Sequence, residues 1–275
     1  MNIEALFQQP NALPSAPKVV QDLISSFNNE DVSADEIARK LAADPVMSAK
    51  LLRLANSAYY HVSRSVNTVN DAVMMLGFVT VRTLVISSSL VSGFKSTSGL
   101  DLKQFWRYSL HTAVAAKWLA KQAGQNSDLA FTIGMMHGIG QLVIHAGMPE
   151  QALLLDQTVG FLDARRFDTE RNSFGYDYAE VGAELASRWK FPASFSNAIR
   201  AFPKPLEHQP FDPMAAIIHL AVWIARANEN DLTLEEIRVS CPTEVAAKFG
   251  IDPYIMLDQM PPLPELSNGL EDLVA

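Results

Sequence analysis

Six histidines, His61, His111, His137, His145, His208 and His219, are the side chains of this 275-residue chain best suited to hold a metal or move a proton near neutral pH. Two of them fall within the run GMMHGIGQLVIH, residues 134–145. An acid directly after His137 would give a divalent cation an imidazole and a hard carboxylate. That arrangement lowers the pKa of a bound water and neutralises a phosphoryl oxygen under attack. Gly138 stands there instead. On a helix through 137–145, His137, Gln141 and His145 share one face, because residues four apart are neighbours. Two imidazoles without a carboxylate nevertheless make a weak site, and Gly138 and Gly140 weaken the helix itself. Each histidine taken alone reads first as a satisfied core residue or a surface one.

Other chemistries find less support. The acid pairs Glu235-Glu236 and Glu271-Asp272 lie in polar, solvated stretches, and nothing there would push their pKa values apart as acid and base roles require. No Gly-x-Ser-x-Gly elbow and no Gly-rich phosphate loop occurs. The single cysteine, Cys241, excludes an intramolecular disulfide and a cysteine-built zinc site, and reads as a core or loop thiol. Phe105, Trp106 and Tyr108 have the spacing of helical core packing rather than of a cofactor box.

The elements that must position these residues are all helical. Ser33 and Glu36 have capping-box spacing ahead of IARKLAA, and Asp44-Pro45 pairs a capping acid with a residue pre-set for the first helical turn. From Val46, apolar residues recur three and four apart, with Leu51, Leu54 and Ala58 on one face. TVNDAVMMLG ends at Gly77 and FVTVRTLVISSSLVSGF follows. Residues 95–101, KSTSGLD, read as a linker that separates an N-terminal helical part, 1–95, from a longer helical unit, 96–275. In the second unit LKQFWRYSLHTAVAAKWLAKQAG is one long amphipathic helix. Further helices are predicted around ALLLDQTV, FLDARRF, DYAEVGAELASRWKF, PASFSNAIRAF and DPMAAIIHLAVWIARANEN, with shorter ones to Leu273. The fold class is all-α.

Charge excludes some partners. The chain carries a net charge of -8. Its first 95 residues are balanced at eight basic and eight acidic groups, so the deficit lies wholly in the second part. No basic run offers a footprint for nucleic acid or an anionic membrane. The N-terminus lacks the pattern of a signal peptide, and TLVISSSLVSGF is too short to span a bilayer, which together predict a cytoplasmic protein.

Taken together, ADPVMSAKLLRLANSAYY, DAVMMLGFVTVRTLVIS, YSLHTAVAAKWLA, GMMHGIGQLVIH and GYDYAEVGAELASRWKFP resemble the successive signatures of HDOD domains, the HD-related output domains of bacterial signalling, over roughly residues 10–225. The resemblance implies an HD-like helical core carrying an N-terminal helical subdomain. HD phosphohydrolases hold metal with a His, a His-Asp pair and a later Asp. Carried over, His111 matches the first His and His137 the second, while Gly138 replaces the Asp of the pair and Gln141 the usual Lys. Tyr178 replaces a further His, Ala201 and Phe202 a His-His pair, and Val222 the final Asp. Glycine and valine cannot ligate. The resemblance therefore implies a scaffold whose metal constellation is dismantled, with no catalytic residues, no metal and no cofactor. His111 and His137 would be relics, bonded to each other or to Gln141, and a tight turn or close helix approach would explain Gly138 and Gly140.

Two functions follow as expectations. The first is a non-catalytic signalling or scaffold module that binds a signalling protein, or a small ligand such as a nucleotide, through a groove between its two parts or through the vestigial pocket. Arg53, Asn56 and Tyr59 are its candidate partner surface, against a background expectation of ordinary helix packing. The second is a metal-dependent phosphohydrolase of nucleotides or cyclic dinucleotides, with an unorthodox site built from His111, His137 and His145 or His219.

Overall fold

A computed structural model describes residues 2–9, 12, 18–25, 34–62, 64–94, 99–250 and 252–274. Ser33 of the expected capping box and residues 95–98 of the expected linker lie outside the described residues. Among those described there are helices and no strand. The N-terminal group comprises α1 (Ile3–Phe7), α2 (Lys18–Ser25), α3 (Ala34–Ala42), α4 (Pro45–Ala55), α5 (Val69–Leu76) and α6 (Phe78–Gly93). It is followed by α7 (Leu102–Gln122), α8 (Ser127–Met136), α9 (Ile139–Gly147), α10 (Pro149–Asp156), α11 (Arg166–Phe174), α12 (Tyr178–Arg188), α13 (Ala193–Ala201) and α14 (Pro213–Glu229). A tail of α15 (Leu234–Val239), α16 (Thr243–Ala247), α17 (Pro253–Gln259) and α18 (Leu263–Leu266) ends in a single 3₁₀ turn, Glu271–Leu273.

Local chemistry sets the boundaries. Asp44 Oδ1 accepts from the amides of Val46 and Met47, at 3.0 and 3.1 Å, and starts α4 with Pro45 in its first turn. Thr68 and Asp71 close a reciprocal capping box on α5. Gly77, at φ 81°, then lets the chain turn by 119° into α6, a conformation that a Cβ would strain. The helix expected around FLDARRF begins only at Arg166, because Phe161 to Arg165 form turns.

α7 is the central strut. It packs on α8, α14 and α18, and Phe105, Trp106 and Tyr108 are all buried along it. The α7–α8 contact is close because α8 carries Gly134, whose Cβ would stand 2.6 Å from the Cα of Ala113. α6 packs on α8, and the last 3₁₀ turn packs on α4 and α6, so the N-terminal helices and the remainder share one contiguous apolar core. The stretch Ser127–Gly147 is long and apolar enough for a membrane span, but 89% of it lies inside this core, where a buried helix is apolar all round.

Candidate functional site

The residues singled out for chemistry fall into two places separated by α7. The first is a closed aromatic box where α8 meets α9, roofed by α12, α13 and α14. A helix through 137–145, already weakened by its two glycines, is broken here: α8 ends at Met136 and α9 starts at Ile139. His137, 1% exposed, turns its Nδ1 onto the carbonyl oxygen of Gly134 at 2.7 Å, and its ring lies edge-on to Tyr108 and Phe202, with centroids 5.0 and 5.7 Å away. Its Nε2 is buried without a partner among the described residues. Burial drives its pKa down to about 4, so the ring is neutral at pH 7.

Gly138 and Gly140 turn out to serve packing. Gly138 has φ −94°, so no left-handed backbone requires it; a Cβ there would meet the edge of the Phe105 ring at 3.3 Å. Gly140 is needed for close approach, since its Cβ would stand 1.9 Å from the carbonyl oxygen of Tyr178, where α9 crosses α12. Gln141 donates weakly to the Phe161 carbonyl at 3.4 Å, and its Oε1 is buried without a partner among the described residues. The expected bond between the two histidines, or from either to Gln141, is not formed; Gly134 and Glu229 take the Nδ1 atoms instead.

A cation that the sequence reading passed over occupies this region. Arg226 follows Val222 by one turn of α14, hydrogen-bonds Tyr108, and exerts its field on His137, Tyr178 and His219. Its Nε is enclosed without an acceptor, and among the described residues it forms no ion pair. The signal was legible: a lone arginine in the otherwise apolar run IIHLAVWIARA. His219 turns Nδ1 to the Phe202 carbonyl at 2.8 Å, and burial followed by the nearby guanidinium holds its pKa below the ordinary histidine value.

The donor set does not fit a catalytic metal. His137 offers a single nitrogen, Gly138 and Val222 offer none, and the permanent charge of Arg226 repels a second cation in a medium of low dielectric. His145 does not join it. Its Nε2 meets Asp156 Oδ2 at 2.8 Å, and the other Asp156 oxygen accepts from Arg166 at 2.6 Å. Arg166, fully buried, also donates to Glu170 at 2.8 Å, and Glu170 in turn accepts from the Tyr178 amide at 2.6 Å. This network ties α9, α10, α11 and the start of α12 together. Among the described residues no group of three His, Cys, Asp or Glu side chains is placed to hold a metal ion.

The second place is an open groove of about 950 Å³ between α4 and α6 on one wall, α7 on the floor and the tail opposite. Val91, Phe94, Trp106 and Leu110 make it apolar, and Lys50, Lys103 and Arg107 stand along it. His111 opens onto this groove rather than onto the box. Its Nδ1 meets Glu229 Oε1 at 2.9 Å, and Arg107 grips the same carboxylate at 2.6 to 3.1 Å. Burial alone would raise the pKa of Glu229, but the bonds from His111 and Arg107 hold it below the ordinary value.

The residues expected to form a partner surface have structural duties. Asn56 donates to the carbonyls of Leu52 and Val66, at 2.8 and 2.7 Å, and accepts from the Val66 amide at 2.8 Å, pinning the loop after α4. Tyr59 packs edge-on against Tyr60 and lies under Lys117. Arg53 is exposed.

The HDOD domain profile matches residues 13–205. Over 98% of both chains the fold superposes, with TM-score 0.80 and 34% identity, on a protein of Shewanella amazonensis SB2B whose name provisionally makes it a phosphohydrolase. It superposes with TM-score 0.74 and 21% identity, over 98% of this chain and 62% of the other, on a protein of Marinobacter aquaeolei VT8 provisionally named a signal transduction protein, a likeness that shows the fold alone. An uncharacterized protein of Treponema pallidum is 27% identical over 231 residues, 82% of this chain. The chain spans 44% of the length of that curated relative.

Proposed function

This chain belongs to the HDOD family, and from that premise we propose that it is a non-catalytic signalling module of the bacterial cytoplasm that works by binding. The observation that carries the reading is Arg226, a permanent cation set among the positions where HD enzymes place their metal ligands. A guanidinium with no carboxylate partner favours anions and opposes divalent cations. The groove over α7 is the recognition surface. Its apolar floor and its basic side chains suit an acidic, amphipathic segment of a signalling protein laid into it.

Elemental analysis of protein purified without an affinity tag or chelating resin tests the non-catalytic part. The expected result is no stoichiometric transition metal. Stoichiometric metal that disappears in the His111→Ala/His137→Ala variant would overturn the reading and turn attention to phosphodiester substrates.

A further inference from the structure

Arg226 also lines a cavity of about 250 Å³ that opens beside the box, between α11, α14 and the tail, and shares Tyr178, Phe202 and Val222 with it. Its walls are flat and apolar, formed chiefly by Phe167, Phe202, Trp223 and Pro242. Its polar side chains are Arg226, His219, Tyr178 and Ser240, the last already accepting from Trp223 Nε1 at 3.1 Å. Phe202 fixes the tautomer of His219: Nδ1–H donates to the carbonyl oxygen at 2.8 Å, which leaves Nε2 a bare acceptor. Among the described residues Arg226 is a donor without a counter-ion. Its nearest influential carboxylate, Asp163, is already held by Arg165 in two hydrogen bonds, at 3.1 and 2.7 Å.

Withdrawing an unpaired charge from water is costly, and an orphaned buried polar atom calls for a partner that the chain does not supply. The guanidinium charge is shared over three nitrogens, so an oxyanion on the terminal pair neutralises the whole group in a forked, bidentate contact. The rest of the cavity sets the shape of the molecule that brings the oxyanion. Phe167, Trp223 and Pro242 favour a planar or ring-shaped body, and His219 Nε2 asks for a hydroxyl or N–H on it. The volume is below that of pockets for drug-sized ligands and matches a single ring with its substituents.

We propose that this cavity is a binding site for a small planar carboxylate bearing a hydrogen-bond donor, anchored by Arg226 and oriented by His219. The site rests on the same view of Arg226 as the non-catalytic reading, yet it is independent of what occupies the groove.

The test is titration of the full chain with 4-hydroxybenzoate, with benzoate and with inorganic phosphate, followed by calorimetry and by the emission of Trp223. Trp223→Phe identifies which part of that emission comes from the cavity. Saturable binding of 4-hydroxybenzoate is expected, weaker for benzoate, and roughly tenfold or more weaker in Arg226→Met, a change that removes the charge and keeps an unbranched stem. Val222→Phe, which fills the cavity and leaves Arg226 in place, should abolish binding and serves if Arg226→Met does not fold. No saturable binding of any probe, or binding unchanged in both variants, overturns the site. Phosphate binding with indifference to both carboxylates overturns the ligand class. Metal analysis is blind to all of these results, so failure here is distinguishable from failure of the non-catalytic reading.

Discussion

His111 on α7 and His137 at the break between α8 and α9 face different environments. His137 is walled in by Tyr108, Phe202 and the α9–α12 crossing, neutral and bonded to backbone. His111 stands at the edge of a wide groove and shares a carboxylate with an exposed arginine. The contrast shows how far the setting of an imidazole depends on what packs beside it. Where Gly138 meets the Phe105 ring and Tyr108 and Phe202 flank His137, space closes and the ring becomes core. Where the first His keeps an acidic neighbour, Glu229, the site stays polar and open. Partner binding is then expected in the groove, and the box acts as frame except where Arg226 and His219 line the small cavity beside it.

If that contrast is right, the closed side should be intolerant. Arg166→Ala, which strands Glu170 in the core behind the box, is expected to cost about 4 kcal/mol in denaturant unfolding, the typical price of breaking a buried pair. A loss below about 1 kcal/mol would mean that the network is not a structural tie. Gly140→Ala should cost about 3 kcal/mol by forcing α9 from α12, while Gly138→Ala, whose Cβ only touches the edge of a ring, should cost less than about 1 kcal/mol. Equal effects of the two glycines would remove the close helix crossing as the explanation.

The pH dependence sharpens the same contrast. His137 has a pKa of about 4 in the folded chain against 6.5 unfolded, so the unfolded state takes up the proton first as pH falls. The stability that comes from keeping this ring neutral is complete above pH 6.5 and lost as pH falls toward 4, about 3 kcal/mol over the window. His219 adds in the same direction. Replacing His137 with Phe should flatten the slope of stability between pH 7 and 5; an unchanged slope would place the titrating group elsewhere. The contribution of Glu229, whose pKa is depressed, is present above the ordinary carboxylate value and is lost only when pH falls through its lower folded value.

The smallest effect on stability should come from the groove. Lys103→Glu at an exposed position is expected to change unfolding free energy by less than about 0.5 kcal/mol, yet to weaken capture of an acidic partner segment. If partner capture is indifferent to this charge reversal, the groove is not the recognition surface that its composition suggests.

Much of the frame is legible in residues 44–77 alone. Asp44-Pro45 starts a helix because an acid and a proline suit a first turn, and Gly77 ends one because only glycine takes its φ without strain. That Gly138 and Val222 cannot ligate a metal can likewise be read directly, since no fold gives those side chains a donor atom. The expected partner surface could not be judged this way. Asn56 looks like a free polar group on a helix until the loop at Val66 folds back and takes its amide. Phe161 to Arg165 looked helical because an apolar pattern with arginines suits a helix, but Asp163 caps the Arg165 amide and holds a turn.

The sequence by itself determined the all-α class, the helix starts and the absence of donor atoms at Gly138 and Val222, because capping, periodicity and side-chain chemistry act within a few residues. Only the tertiary structure decided which histidine faces a box and which a groove, and only it placed Arg226 in the first and Glu229 in the second. Those partners lie more than a hundred residues from His111 along the chain. What brings them together is the packing of α14 on α7, a property of two complementary surfaces that neither segment displays alone.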